Sequence, residues 1–231
     1  SINNPSKYYD NNVRGSLSLL DCMIKHEVKQ LIFSSTAAVY GTPEVSPLDE
    51  SHPTRPINPY GQTTLIIEQA LADYQHAYDL NFVCLRYFNA AGADYKNGIG
   101  ESHQPETHLI PLVLQAASGR RSSLAIFGND YATHDGTCIR DYIHVIDLCE
   151  AHLLVLTYLL EDGKSGHFNL GNGTGFSVQE VIATARQVTG KEIPVRLESR
   201  RTGDPAILVA DASQAKAILD WQPRHNQLDD M

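Results

Sequence analysis

Two short apolar runs with a helical stretch between them constrain the fold of this chain more than any other feature. The runs are LIFSS (31–35) and FVCLRY (82–87), each short enough to be a buried strand. A loop containing glycine and proline leads from Gly41 to Pro59, and residues 60–78 then have the pattern of a helix. Parallel strands need a crossover connection of this kind. The sequence therefore predicts an α/β fold.

The rest of the chain predicts a second, differently built part. Apolar residues at helical spacing indicate an amphipathic helix over 6–26. Beyond Asn89, long polar loops separate further predicted elements: helices over 108–118, 145–161, 178–189 and 211–221, and strands over 124–128, 167–171, 194–199 and 208–210. We predict that residues 1–90 form the last part of a dinucleotide-binding, Rossmann-type parallel sheet. Residues 91–231 are predicted to form a smaller mixed α/β substrate-binding lobe, with some segments returning to the sheet.

Local signals define two of the later helices. Ser177 and Glu180 form the pattern of a capping box, and Gly190 is placed to end the same helix. Asp211 is predicted to cap the last helix, which we expect to run to Trp221.

Charge and hydropathy exclude two classes of function. The 231 residues carry a net charge of −9 and no stripe of lysine and arginine, which argues against a non-specific nucleic-acid binder. The longest apolar run, 145–160, is interrupted by Asp147, Glu150 and His152. A membrane-spanning helix tolerates few such charges, so we predict that the protein does not cross a membrane.

The cysteines indicate a reduced compartment. They show no C-x-x-C pair and no spacing typical of metal ligands. We therefore predict free thiols, a cytoplasmic protein and no metal site. The four positions are Cys22, Cys84, Cys138 and Cys149.

A glycine-rich segment, GNGTG (171–175), follows a predicted strand and precedes a predicted helix, where a phosphate-binding loop could lie. Its spacing is G-x-G-x-G rather than G-x-G-x-x-G, and no clean βαβ unit with a ribose-binding acid follows it. A structural turn is the favoured interpretation.

Two motifs together suggest a reactive site. SSTAAVYG (34–41) leaves the end of a predicted parallel strand, where ligands bind in α/β sheets, and NPYGQTT (58–64) opens the next helix. A hydroxyl from Ser34, Ser35 or Thr36 could meet the hydroxyl of Tyr60 on one substrate oxygen. The alternative is that the hydroxyl residues only end a strand. A tyrosine has an ordinary pKa of about 10, so Tyr60 needs help to act as a base near neutral pH.

Motifs along almost the whole chain resemble the extended short-chain dehydrogenase/reductase family, and within it the UDP-glucose 4-epimerases. The stretches that carry the resemblance are YYDNNVRG, IFSSTAAVYG, NPYGQTT, LRYFNAAGA, HLIPL, IFGNDY, DGTCIRDYIHV, NLGNGTGFSV and RRTGDPA. The resemblance implies tightly bound NAD, interconversion of UDP-glucose and UDP-galactose through transient oxidation at sugar C4, and a homodimer.

The resemblance also implies roles for individual residues. Tyr60 matches the acid/base and Thr36 the hydroxyl that shares the sugar oxygen. Positions that line the cofactor match Asn11, Ser34, Tyr60 and Phe88. Positions that hold the UDP-sugar match Thr36, Asn89, Leu109, Arg140, Arg201 and Asp204.

Chemistry agrees with the substrate positions. A diphosphate requires charge-assisted donors, and two arginine forks from separate loops can supply them. The alternative for Arg140 is a salt bridge to its neighbour Asp141.

The sequence departs from the family pattern at Thr64, where the Y-x-x-x-K motif has a lysine that lowers the tyrosine pKa and binds the nicotinamide ribose. The family's glycine-rich loop also lies before the segment that begins at Ser1, and family members continue past Met231. We expect a chain shortened at the N-terminus and slightly at the C-terminus. The alternative function is an impaired epimerase that at most binds UDP-sugar.

The related 4,6-dehydratases are the nearest rival within the same superfamily. They commonly carry an Asp-Glu pair after the strand-end threonine, because water elimination needs an acid and a base. Ala37 and Ala38 occupy these positions here, so a dehydratase is not predicted.

Overall fold

A computed structural model describes residues 1–201 and 203–231. Its helical elements are α1 (Pro5–Tyr8), a π-helical segment (Tyr9–Arg14), α2 (Gly15–Lys25), a 3-10 turn (Ala37–Val39), α3 (Pro59–Tyr78), α4 (Leu109–Ala117), α5 (Val145–Leu160), α6 (Val178–Thr189), α7 (Ser213–Leu219) and a 3-10 turn (Leu228–Asp230). Among these described helices, none is long and apolar enough to cross a membrane.

Within the described residues, the strands form four small sheets. They are β1 (Gln30–Thr36), β2 (Asn81–Tyr87), β3 (Asn89–Ala91), β4 (Leu124–Phe127), β5 (Ile139–Arg140), β6 (Tyr142–His144), β7 (Gly166–Leu170), β8 (Phe176–Ser177), β9 (Val195–Glu198) and β10 (Ile207–Leu208). The largest continuous pairing is the parallel sheet β1-β2-β7. This confirms the α/β fold and the parallel strands that the sequence predicts.

Strand β7 joins the first sheet although it lies far along the chain. It pairs in parallel with β2, which itself pairs with β1. The other pairings are β4 with β9, β3 with β6, and the order β10-β5-β8. The division at residues 90 and 91 stays a prediction, with β7 a segment that returns to the sheet.

The N-terminal helix differs from the uniform helix predicted over 6–26. It contains the π-helical segment Tyr9–Arg14, within which each turn holds more residues than an α turn. Asn12 in this segment donates its side-chain amide to the hydroxyl of Thr63 in α3, at 3.1 Å. Hydrophobic spacing cannot separate the two helix types over a single turn, so the sequence did not indicate this feature.

The end of the chain also differs in detail. The last helix is α7, and Ala212 rather than Asp211 is its N-cap residue. Asp211 still accepts a hydrogen bond from the backbone of Ser213 at 2.8 Å. Trp221 lies beyond the helix, fully buried, and its indole N–H donates to the carbonyl of Asp147 at 3.0 Å. The packing of Trp221 therefore fixes the segment after α7.

Four short strands lie in segments that were predicted to be loops or the start of a helix. They are β3, β5, β6 and β8, of two or three residues each. Such strands are too short to show an alternation of polar and apolar residues. The capping box of Ser177 and Glu180 and the αL cap at Gly190 are confirmed.

A buried polar network joins α3 to the first sheet. Glu68 of α3 forms a bidentate ion pair with Arg86 of β2, at 2.6 and 3.0 Å, and accepts from the hydroxyl of Ser35 of β1 at 2.5 Å. Both charged side chains are at least 94% buried, because their exposed fractions are 6% and 3%. Arg86 also donates to the hydroxyl of Tyr40, which donates to Asn169 of β7.

Substitution of Glu68 by Gln should destabilise the fold by about 3–5 kcal/mol, because it leaves the buried Arg86 charge uncompensated. Urea unfolding followed by circular dichroism measures the loss. Arg14→Ala is the control, since its pair with Asp10 is exposed and should change stability by no more than about 0.5 kcal/mol. A Glu68→Gln protein as stable as the control would contradict a structural role for this network.

Candidate active site

Tyr60 and Thr36 are brought together by the end of a strand and the start of a helix. Thr36 is the last residue of β1, and Tyr60 is the second residue of α3. Asn58 caps the helix by accepting from the backbone of Gly61 at 2.9 Å, and Pro59 is at its first position. The Thr36 side chain lies close enough to Tyr60 to lower its pKa, and its oxygen accepts from the backbone N–H of Ala38 at 3.2 Å. The two side chains therefore lie near each other at the end of β1, and their joint action on one substrate oxygen stays a prediction.

The environment of Tyr60 makes its proton harder to remove. Tyr60 as a residue is 41% exposed. Burial nevertheless raises the pKa of Tyr60 above its ordinary value, and the nearby Tyr87 and Tyr8 raise it further. The nearby Thr36 side chain acts in the opposite direction and lowers the pKa of Tyr60. None of these neighbours carries a positive charge, so nothing in this set stabilises the phenolate strongly.

Thr64 occupies the position one helical turn beyond Tyr60. It is 5% exposed, and its hydroxyl donates to the backbone carbonyl of Tyr60 at 3.1 Å. Thr63 donates to the same carbonyl at 2.9 Å. The Thr64 hydroxyl is therefore used inside the helix and supplies no charge to the site.

The three remaining predicted cofactor residues lie on separate elements. Asn11 is exposed in the π-helical segment and donates its amide to the side chain of Asn12 at 3.0 Å. Ser34 is exposed on β1 and hydrogen-bonds His152 of α5 at 3.3 Å. Phe88 follows β2 and packs on a buried cluster that includes Leu65. Their binding roles stay predictions.

A cavity of about 610 Å³ gathers the predicted substrate residues. Five of the six line it: Asn89, Leu109, Arg140, Arg201 and Asp204. The sixth, Thr36, is not in this lining. Tyr60 borders a second cavity, with Tyr8 and Asn58. The predicted site residues thus form two groups, one at Tyr60 and Thr36 and one in the large cavity. The end of β2 connects them: Tyr87 pairs with Thr36, and Asn89, two residues later, lines the large cavity.

Arg140 is held in the cavity wall by backbone and by Asp204. One of its terminal nitrogens donates to the carbonyls of Ile139 and Pro205, at 2.8 and 2.9 Å. The other lies 3.4 Å from the Asp204 carboxylate. The alternative of a salt bridge to Asp141 is wrong, because the Asp141 carboxylate is bonded to backbone amides instead.

Arg201 is positioned by an aromatic ring. Its guanidinium carbon lies 3.9 Å from the ring centroid of Phe127, which also lines the cavity. Such stacking orients the planar fork without using its N–H donors. The neighbouring Arg200 stacks on Tyr131 at 4.2 Å and pairs with Asp130, outside the cavity lining.

Sequence reasoning missed two further cationic residues, Arg121 and Arg196, which also line the cavity. Arg121 donates to the carbonyl of Ser123, and Arg196 pairs with Glu198 at 2.8 Å. Arg121 precedes the predicted strand over 124–128, whereas Arg196 lies inside the predicted strand over 194–199, and neither belongs to a motif. Four arginines in one cavity favour an anionic ligand.

The GNGTG segment is a turn, as its spacing predicts. The Asp141 carboxylate accepts from the backbone amides of Asn172 and Gly173, at 2.7 and 3.0 Å, and from Ala210 at 3.0 Å. Burial raises the pKa of Asp141, and these three bonds lower it. A Cβ atom on Gly171 would lie 2.5 Å from the same carboxylate, which explains the glycine.

Comparison with known proteins identifies the family. Residues 1–171 match the NAD dependent epimerase/dehydratase family. The chain belongs to this family.

Relatives within the family are similar over the full chain. A UDP-glucose 4-epimerase of Halalkalibacterium halodurans is 57% identical over 231 residues, which are 100% of this chain and 69% of the relative. The crystal structure of a UDP-glucose 4-epimerase from Brucella ovis with NAD is 48% identical, with a TM-score of 0.97 over 100% of this chain and 71% of the other. A Bifidobacterium longum enzyme with NAD+ and UDP gives 42% identity and a TM-score of 0.94, over 100% of this chain and 69% of the other.

Substitution of Thr36 by Val should raise the pKa of Tyr60 further, because it removes the hydroxyl that lowers it. The measurement is a pH titration of the Tyr60 ring-carbon NMR signal, assigned with Tyr60→Phe. Ser34→Ala is the matched control on the same strand, since Ser34 bonds His152 instead. Equal titration curves for Thr36→Val and the unmodified protein would mean that the two hydroxyls do not interact.

Proposed function

We propose that the chain interconverts UDP-glucose and UDP-galactose through NAD-dependent transient oxidation at C4 of the sugar. The observation that carries the proposal is the 610 Å³ cavity, where five residues expected to hold the UDP-sugar lie together. Relatives named UDP-glucose 4-epimerase, 57% and 48% identical to this chain, support the choice of substrate.

The cavity suits a nucleoside diphosphate. The guanidinium groups of Arg140 and Arg201 come from separate segments and can each offer a fork to phosphate oxygens. The Asp204 carboxylate beside Arg140 can accept hydrogen bonds from ribose hydroxyls. Asn89 and Leu109 complete the proposed grip on the nucleotide.

The donors near β1 and the π-helical segment fit part of NAD. The Asn11 amide and the Ser34 hydroxyl can bond ribose hydroxyls, and the Phe88 ring can pack on an aromatic face. The GNGTG turn does not fit the pyrophosphate of NAD, because the backbone N–H groups of Asn172 and Gly173 already donate to the Asp141 carboxylate. When bound, NAD supplies the group that accepts a hydride from C4 and returns it.

Tyr60 and Thr36 handle the proton of the sugar 4-hydroxyl. The Tyr60 oxygen, as phenolate, takes this proton during oxidation and gives it back during reduction. Thr36 orients the sugar oxygen toward Tyr60 through a hydrogen bond. The nucleotide must be held firmly while the sugar stays free enough to turn and present its other face.

We further propose that the protein works in the cytoplasm as a homodimer, without a nucleic-acid or membrane partner. The net charge of −9 and the four free thiols support this setting. Oligomeric state follows from size-exclusion chromatography with light scattering.

The alternative is a protein that binds UDP-sugar but turns it over slowly or not at all. Thr64 favours it, because a neutral side chain stands where the family has a lysine. The raised pKa of Tyr60 also favours it, since little phenolate is then present near pH 7.

The proposal is tested by mixing the protein with NAD+ and UDP-galactose and separating the products by chromatography. UDP-glucose should form, and Tyr60→Phe should abolish its formation. Binding of UDP without conversion would select the alternative function. Absence of both binding and conversion would contradict both functions.

Arg201→Ala should weaken UDP binding about 10- to 100-fold, because a hydrogen bond to a charged group is worth about 1.5–3 kcal/mol. Arg200→Ala is the matched control, since its guanidinium stacks on Tyr131 outside the cavity lining. Isothermal titration calorimetry at two salt concentrations measures both, and affinity should fall as salt rises. Equal losses from the two substitutions would remove Arg201 from the proposed site.

Thr64→Lys should raise turnover at pH 7 by about 10²–10⁴-fold, the usual contribution of a general base. Residue 64 lies one turn beyond residue 60 on the same helix face, so a lysine there brings a positive charge toward the phenol. The pKa of Tyr60 should fall, and each unit corresponds to about 1.4 kcal/mol. With Thr64 in place, the pKa of Tyr60 lies above its ordinary value, so the phenolate fraction and with it turnover should climb throughout the range up to pH 10.

Gln62→Lys is the control for this substitution, because positions two apart on a helix do not face each other. Rates of UDP-galactose conversion from pH 6 to 10 are compared for the three proteins, after their folding is checked by circular dichroism. Superimposable profiles for Thr64→Lys and the unmodified protein would mean that another group activates Tyr60.

A further inference from the structure

Four side chains in the loop before α4 bring their nitrogen and oxygen atoms together. They are Glu101, His103, Glu106 and His108, and each has one atom within 4.8 Å of the corresponding atoms of the others. The Nδ1 atoms of His103 and His108 lie 2.5 and 2.6 Å from the same Glu101 oxygen. His108 Nδ1 also lies 3.3 Å from a Glu106 oxygen.

We propose that this cluster binds a divalent transition-metal ion of the zinc class. Imidazole nitrogens and carboxylate oxygens are ligands of zinc, which usually takes four in a tetrahedron. Two carboxylates balance the charge of a 2+ ion when both imidazoles are neutral. Ca²⁺ and Mg²⁺ require six or more oxygen ligands and tolerate imidazole poorly, so they suit the cluster less well.

The required movement is small. Ligand atoms about 2.1 Å from a tetrahedral zinc ion lie ~3.4 Å from one another. The closest pairs here, at 2.5 and 2.6 Å, must therefore separate by about 1 Å. His103 is 57% exposed and His108 is 50% exposed, so both rings have room to move.

The competing interpretation is a cluster held by hydrogen bonds alone. Each imidazole can donate one N–H to the Glu101 carboxylate, and the observed distances also fit that arrangement. The two interpretations differ in stoichiometric metal binding, which is therefore the quantity to measure.

The position of the cluster gives the ion a structural effect. Glu106 and His108 line the 610 Å³ cavity, and Glu106 accepts from the backbone amides of Thr107 and His108 at 2.6 and 2.8 Å. A metal that joins these two residues to Glu101 and His103 would fix the loop that forms one wall of the cavity. The proposal does not depend on the reaction that the cavity serves.

A second group, Glu68, Cys84 and His167, also brings potential ligands together, but it does not suit a metal. The Glu68 carboxylate is already paired with Arg86. Burial raises the pKa of the Cys84 thiol strongly, which disfavours the thiolate that a metal needs. The prediction of no metal site was based only on the spacing of the cysteines. It did not consider a cluster of histidines and glutamates.

The test uses protein without a histidine tag, treated with EDTA and then dialysed. Zn²⁺ is titrated at pH 7.5 in competition with a chromophoric zinc indicator. We expect one equivalent to bind, with no displacement by excess Ca²⁺. His103→Gln and Glu101→Gln should each weaken binding by more than the ~10–100-fold typical of losing an outer-shell partner.

His76→Gln is the matched control, because His76 is an exposed histidine on α3, away from the cluster. It should bind Zn²⁺ like the unmodified protein, and circular dichroism should show that all variants fold without metal. Co²⁺ provides a second readout, since the site should give a visible spectrum without thiolate charge-transfer bands. Thiolate bands would assign the ion to a cysteine and overturn the proposal. Two other results would also overturn it: no equivalent of Zn²⁺ bound to the unmodified protein, or unchanged Zn²⁺ binding in His103→Gln.

Discussion

The buried ion pair between Glu68 and Arg86 is the interaction on which the arrangement of the molecule depends. It joins the crossover helix α3 to β2, and through the hydroxyl of Ser35 it reaches the second-last residue of β1. Ser35 precedes Thr36, and Glu68 lies two turns after Tyr60 on α3. The pair therefore fixes the helix that presents one hydroxyl relative to the strand that presents the other. A buried pair of this kind is costly to break, which makes the geometry of the strand end rigid.

The features that sequence could predict were those with a repeating or local physical cause. Hydrophobic runs indicated β1 and β2, and the capping box of Ser177 marked the start of α6, because each signal lies within one element. The motif positions also led to five residues of one cavity, although their binding roles remain proposals. The spacing of the glycines was sufficient to favour a turn over a phosphate-binding loop at GNGTG.

What sequence could not predict depends on contacts between distant segments. The π-helical segment is visible only through packing such as that of Asn12 on Thr63. The short strands β5 and β6 form because segments far along the chain pair with them. Arg121 and Arg196 belong to no sequence motif, so their place in the cavity was not predicted. The separation of Tyr60 from the large cavity was likewise unpredictable, since position in a motif does not specify which space a side chain borders.

Asp141 gives the GNGTG turn a property that its glycines alone do not have. Successive backbone amides in such a turn form a concave nest that attracts anions. Here the anion is supplied by the chain itself, so the nest is filled from within and cannot compete with the cavity for phosphate. The backbone carbonyl of Asp141 accepts both the main-chain and side-chain N–H of Asn89, in the cavity wall. One residue thus keeps phosphate groups away from the turn while positioning a neighbour where such groups are expected to bind.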